Sequence, residues 1–150
     1  MNHPLRSYQL AGALAVSVAL AISGPWAVRA QTAPNPNFTG GKVTRLTENP
    51  PGQIGYFHFD PGARTKWHIH EKGQLVFVEE GVGLVQQKGG PVIELHAGEA
   101  IWCPPGVAHW HGAAPDKGGT QYNVSRGGIT WLEPVTEQEF TAKAVRSARR

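Results

Sequence analysis

The chain has 150 residues, 40% hydrophobic and 17% charged, with 14 basic against 11 acidic side chains, a formal net charge of +3 and one cysteine. That length allows one domain with one core. The modest charge gives no basic surface for nucleic acid, and the lone Cys103 excludes an intramolecular disulfide framework.

In chain order the first predicted element is a targeting segment. Arg6 precedes a short apolar run, Leu10–Ser23, and small residues at Val28 and Ala30 occupy the −3 and −1 positions before Gln31. This is the order of a secretory signal peptide, residues 1–30, cleaved after Ala30. A retained anchor would need about 20 apolar residues; this run is shorter and is broken by Gly24-Pro25. The expected location is therefore secreted or periplasmic, with no membrane attachment once the signal is removed. Loss of Arg6 and Arg29 leaves 12 basic against 11 acidic residues in the mature piece, Gln31–Arg150.

Residues 31–40 read as an extended lead-in. From 41 to 135, short apolar or alternating runs recur: IGYFHF, TKWHIH, LVFVEE, GLVQQ, VIELH, EAIWC, AHWHG, QYNVS and ITWLEP. Gly/Pro-rich separators stand between them, among them DPGA, EKG, EGVG, KGG, HAGE, PPGV and PDKGG. Evenly spaced strands with turns between them predict an all-β antiparallel sandwich or small barrel. Residues 136–150 form a C-terminal helix and basic tail. Thr136 is the expected N-cap with Glu139 reaching back to it, and Phe140, Ala144 and Val145 are the expected apolar stripe.

Side chains alternate faces along a strand, so His68 and His70 project together, with Trp67 and Ile69 opposite. His109 and His111 likewise share a face, with Trp110 opposite. Two pairs at this spacing, each beside a turn, point to convergence inside a barrel. Unpartnered buried imidazoles are costly, and imidazole is the commonest nitrogen ligand for divalent transition metals. His58 and His96 lack a partner at this spacing and are read as ordinary surface or singly bonded histidines. Outward Trp67 and Trp110 are candidates for subunit contacts in a homo-oligomer, a dimer or tetramer.

These residues resemble the cupin superfamily. Gly62, His68, His70, Gln74 and Gly81 stand at the spacings of its first motif, with Gln74 in the Glu position. Gly98, Pro104, Gly106 and His109 match its second, whose final Asn position holds Ala113. The resemblance covers about Gly41–Glu133. It implies a single-domain jelly-roll barrel in which His68, His70, Gln74 and His109 ligate one divalent metal. The glycines fall where tight turns need positive φ.

An amide in place of a carboxylate leaves a dication site near +2, a stronger Lewis acid that favours an anionic partner. His111, not itself a ligand, is then either a catalytic base moving a proton to or from the substrate oxygen or a hydrogen-bonding support. WHIHEKGQ, PPGVAHWHG and WLEPVTEQEF together resemble a narrower group, small bacterial monocupins that include manganese-dependent hydroxynitrile lyases. The resemblance implies manganese, with iron, nickel or zinc as alternatives. It places Gln121 and Ser125 in the substrate pocket, where that group's lyases carry a further His and Gln; Phe57 is a further pocket candidate. The leading expectation is an exported, metal-dependent lyase acting on a small hydroxylated or carbonyl compound. The alternatives are a cupin dioxygenase for a bidentate phenolic or enediol, and a non-catalytic module that binds a metal or small acid.

Overall fold

The structure, a computed structural model, describes residues 35–47 and 54–147. The predicted signal peptide, with the Arg149 and Arg150 end of the basic tail, lies outside them. Among the described residues no helix is long and apolar enough to cross a membrane.

The chain folds as a nearly closed, predominantly antiparallel β-barrel. Its strands are β1 (Phe38–Thr39), β2 (Val43–Arg45), β3 (Ile54–Phe59), β4 (Arg64–Thr65), β5 (His68–His70) and β6 (Gln74–Gln87). They continue with β7 (Val92–His96), β8 (Ala100–Cys103), β9 (His109–Ala113), β10 (Gly119–Ser125) and β11 (Ile129–Trp131). A single turn of helix, α1 (Glu137–Phe140), and β12 (Val145–Arg146) close the sequence of elements.

The all-β barrel expected from the turn pattern is what forms, and IGYFHF and VIELH become β3 and β7 with the expected ends. One expected turn does not exist. LVFVEE and GLVQQ are parts of the same strand, β6, which runs through EGVG without reversing. Its first half pairs with β8 and β10. Its second half pairs with β7 and β9. β6 therefore belongs to both sheets of the sandwich, and the transfer occurs at Gly81. There φ is +78°, and the register with β10 shifts between Thr120 and Gln121. An added Cβ at Gly81 would lie 2.1 Å from the Gly118 carbonyl oxygen. Glycine bends this strand as a bulge does, without ending it. Gly62 and Gly98 also have the expected positive φ, +79° and +86°.

Two apolar clusters fill the interior. Val76, Val78, Val85, Leu95 and Cys103 pack at one end; Phe59, Ala63 and Ala113, with Phe38, Val43 and Phe57, pack beside the site. A third cluster lies on the outer face of the other sheet: Trp67, Leu84, Val92, Trp110, Val135 and Phe140. This corrects the reading of the two tryptophans. Trp67 and Trp110 do point away from the histidines, but they are 1% and 0% exposed. The C-terminal segment folds back over them, and their burial contributes several kcal/mol each, on the order of 3. They are therefore not available for subunit contacts.

α1 starts where the sequence places it. Thr136 Oγ1 accepts from the Glu139 N–H at 3.2 Å, and Glu139 Oε2 accepts from the Thr136 N–H at 2.9 Å. The same carboxylate also accepts from Trp67 Nε1 at 3.4 Å, so the cap is tied to the barrel wall. The helix is shorter than the expected stripe. It ends after Phe140, and Val145 lies in β12, 43% exposed and paired parallel with β7.

Candidate metal centre

β5 and β9 are hydrogen-bonded neighbours with His68 directly opposite His109. The alternation within each short strand then aims His68, His70, His109 and His111 inward. All four are buried, at 1%, 5%, 0% and 3% exposure. Gln74 opens β6, 5% exposed, and brings its amide to the same group.

One nitrogen each from His68, His70 and His109 lies within 4.8 Å of the other two. His68 Nδ1 donates to the Lys66 carbonyl at 2.9 Å, and His109 Nδ1 donates to the Val107 carbonyl at 3.0 Å. A carbonyl only accepts, so both rings carry their proton on Nδ1 and turn the Nε2 lone pair inward. Gln74 Oε1 stands 2.8 Å from His109 Nε2 and 3.4 Å from His68 Nε2. Neutral rings therefore set lone pairs against a lone pair. Rotating the amide would let its two N–H groups serve at most two imidazoles, and the third would stay unpaired. His70 Nε2 is buried with no hydrogen-bond partner at all. A cation resolves each of these conflicts at once, and the donor set fits a divalent transition metal.

Electrostatics hold the rings neutral, as ligands must be. Burial, then the neighbouring His109 ring, pushes His68 down to about 3 and His70 to about 4. Burial lowers His109 as well.

His111 differs in its partners. Its Nδ1 donates to Gln121 Oε1 at 3.0 Å, and Gln121 Nε2 donates to the Gly112 carbonyl at 2.7 Å. The second bond fixes which end of the amide faces the ring, so Nε2 is the basic end of His111. Burial, then the His68 and His109 rings, pushes its pKa well below the ordinary imidazole value. Phe59 packs edge-on against it, with centroids 5.7 Å apart.

A cavity of about 290 Å³ opens onto this group. His68, His70, Gln74 and His111 line its inner end, and Phe57 and Ser125 its wall. A cavity of about 150 Å³ accepts benzene, so this one has room for an aromatic ring with a substituent of several atoms. Gln121 is not on the cavity surface. It is fully buried behind His111, and its contact with the site is the hydrogen bond to that ring.

The comparisons agree with this geometry. A cupin-domain family model matches residues 55–125. A cupin-like protein of Thermotoga maritima, known from its crystal structure, is 40% identical with a TM-score of 0.60, over 69% of this chain and 84% of that one.

The protein belongs to the cupin family.

Among curated proteins, this cupin is 43% identical over 86 residues to (R)-mandelonitrile lyase of Granulicella tundricola, covering 55% of this chain and 66% of that protein. The chain thus spans just under two thirds of the length of that relative. The polyketide cyclase RemF of Streptomyces resistomycificus shares the fold at 23% identity and TM-score 0.56, over 76% of this chain and 85% of that one. The resemblance to mandelonitrile-lyase-like monocupins therefore holds, and with it the jelly-roll fold.

The cupin site also contains residues that the sequence reading passed over. Asn123 lies between Gln121 and Ser125 on the inward face of β10 and lines the cavity; strand alternation alone would have found it. Trp131 pairs with His68 across β11 and β5, its ring 4.9 Å from that imidazole. Arg45 reaches the cavity from β2; a single arginine in a three-residue strand carries no such signal. His58 and His96 stand apart from the centre. His58 bonds Thr120 at 3.1 Å, and His96 bonds Glu94 at 2.7 Å.

Proposed function

We propose that this cupin is an exported, metal-dependent lyase that cleaves a small hydroxylated compound to a carbonyl product, with hydroxynitrile cleavage as its most concrete version. One observation carries the reading: three imidazoles and a neutral amide converge beside a fourth imidazole, whose Nε2 carries the lone pair. The likeness to (R)-mandelonitrile lyase supports it. His68, His70, His109 and Gln74 would hold the ion, with manganese the leading candidate. When bound, it supplies Lewis-acid charge that makes a hydroxyl easier to deprotonate.

The chain's own groups do the rest. Phe57 and Trp131 offer apolar faces for the substrate's ring. His111 Nε2 accepts the proton of the substrate hydroxyl, and the imidazolium charge is shared through Nδ1–H with Gln121 Oε1. The C–C bond then breaks to leave an aldehyde and cyanide, and His111 returns its proton to cyanide. Burial keeps the imidazole neutral and ready to accept before this step.

Export rests on the Arg6, Leu10–Ser23 and Ala30 pattern. Self-association is supported by a row of outward residues across three paired strands: Trp102, Leu75 and Val124, 50%, 37% and 37% exposed. Such a row suits burial against a second copy.

The test is racemic mandelonitrile with manganese-reconstituted protein. Benzaldehyde release above a manganese-only control, at equal rates with and without oxygen, is expected. No excess benzaldehyde rejects hydroxynitrile cleavage, and dependence on oxygen would favour a dioxygenase.

A further inference from the structure

The cavity described above has two ends of different chemistry. Its inner end holds the imidazoles and Gln74; its wall carries a permanently charged side chain. Arg45 lines the cavity, and its guanidinium carbon sits 4.6 Å from the centroid of the Phe57 ring. Arg45 and Phe57 are directly opposed on β2 and β3, so the stack is a cross-strand pair built into the sheet. Gly55 shapes it from below: an added Cβ would fall 2.3 Å from Phe57 Cε2. The missing side chain lets the ring lie back along its own strand. Stacking engages the face of a guanidinium and keeps its N–H donors directed along the edge, the geometry that matches a carboxylate.

The second observation is independent of the first. Asn123 is 4% exposed, lines the same cavity, and its Oδ1 has no hydrogen-bond partner. A buried amide oxygen in this state is an acceptor waiting for a donor. No acidic side chain lines the cavity among the described residues, so nothing in the lining opposes an incoming anion.

We infer that the cavity recognises a small aryl compound bearing both a carboxylate and a hydroxyl. Its carboxylate lies along the edge of Arg45, its ring against Phe57, and Asn123 Oδ1 accepts the hydrogen bond of the hydroxyl in the resting complex, before that one proton turns to His111 Nε2 for the chemical step. This deepens the lyase reading, on whose cavity it rests, by naming the substrate class. Mandelonitrile, which is neutral, is then a surrogate that leaves Arg45 unused.

Calorimetric titration of the purified, metal-assayed protein tests this without turnover. Mandelate and mandelamide have the same shape apart from the charged group. Mandelate is expected to bind about 10- to 100-fold more tightly, the range for hydrogen bonds to a charged group. In Arg45→Met, with Arg45→Gln as the second variant should the first misfold, that preference shrinks to about 2-fold while metal content stays constant. Asn123→Leu weakens mandelate about 10-fold and leaves phenylacetate, which has no hydroxyl, unchanged. Equal binding of mandelate and mandelamide by the unaltered protein overturns the proposal and needs no variant. A full preference in Arg45→Met also overturns it, because the charge would then be read elsewhere. Benzaldehyde release is measured separately, so failure of the lyase reading and failure of carboxylate recognition are distinguishable.

Discussion

Removing the metal and lowering the pH should destabilise this protein steeply between pH 6.5 and pH 5. In an unfolded chain an imidazole titrates near 6.5. In the fold, burial holds His68 down to about 3 and His70 to about 4. Between those values and 6.5 the unfolded chain binds more protons than the folded one. Stability is therefore greatest above 6.5 and falls as the pH drops towards the folded values. At pH 5 each unfolded imidazole lies about 1.5 units below its pKa, worth about 2 kcal/mol. The pair together costs about 4 kcal/mol, a large share of the 5–15 kcal/mol typical of a domain. His109 and His111 shift in the same direction and add to the loss. Urea unfolding of the chelator-treated protein at pH 7 and pH 5 should show the midpoint falling by about 2 M, for a slope of about 2 kcal/mol/M. His68→Gln should remove about 2 kcal/mol of that pH dependence. An unchanged midpoint at pH 5 would refute the claim that these rings are held neutral by burial.

Gln74→Glu lowers the net charge of a loaded centre to about +1. It should retain metal against a chelator for longer, while mandelonitrile cleavage slows by about 10-fold; elemental analysis and benzaldehyde release read the two effects. Gly81→Ala places a methyl 2.1 Å from the Gly118 carbonyl at a φ of +78°. It should cost at least about 2 kcal/mol, seen as a lower Tm. Cys103 is fully buried, and burial pushes its thiol up to about 12. Iodoacetamide at pH 8 should leave it unmodified in the native protein and alkylate it after denaturation.

The sequence made the strands legible where turn residues and alternation agreed, as in Ile54–Phe59 and Val92–His96. It misled at Glu80–Gly83, because a glycine at positive φ reads the same whether the chain reverses or bends; only the partners on both sides of β6 decide. The inward direction of His68, His70, His109 and His111 followed from period two. The fate of Trp67 and Trp110 did not. Outward on a strand means exposed only if nothing lies on top, and residues 135–144 supply that cover. The capping box was readable because it is local; that Glu139 also reaches Trp67 is a contact across 72 positions. Arg45 was invisible for the same reason, since its meaning comes from Phe57 on the adjacent strand.

The alternation of ring types in WHIH and HWH has a bearing on how the barrel assembles. A slip of one residue in β5 or β9 would turn indoles into the lumen and imidazoles into the oily layer beneath the C-terminal segment. Both exchanges are unfavourable, so a misaligned strand is rejected twice over. The grease on the outside thus proofreads the donor geometry on the inside, before any ion arrives to reward it.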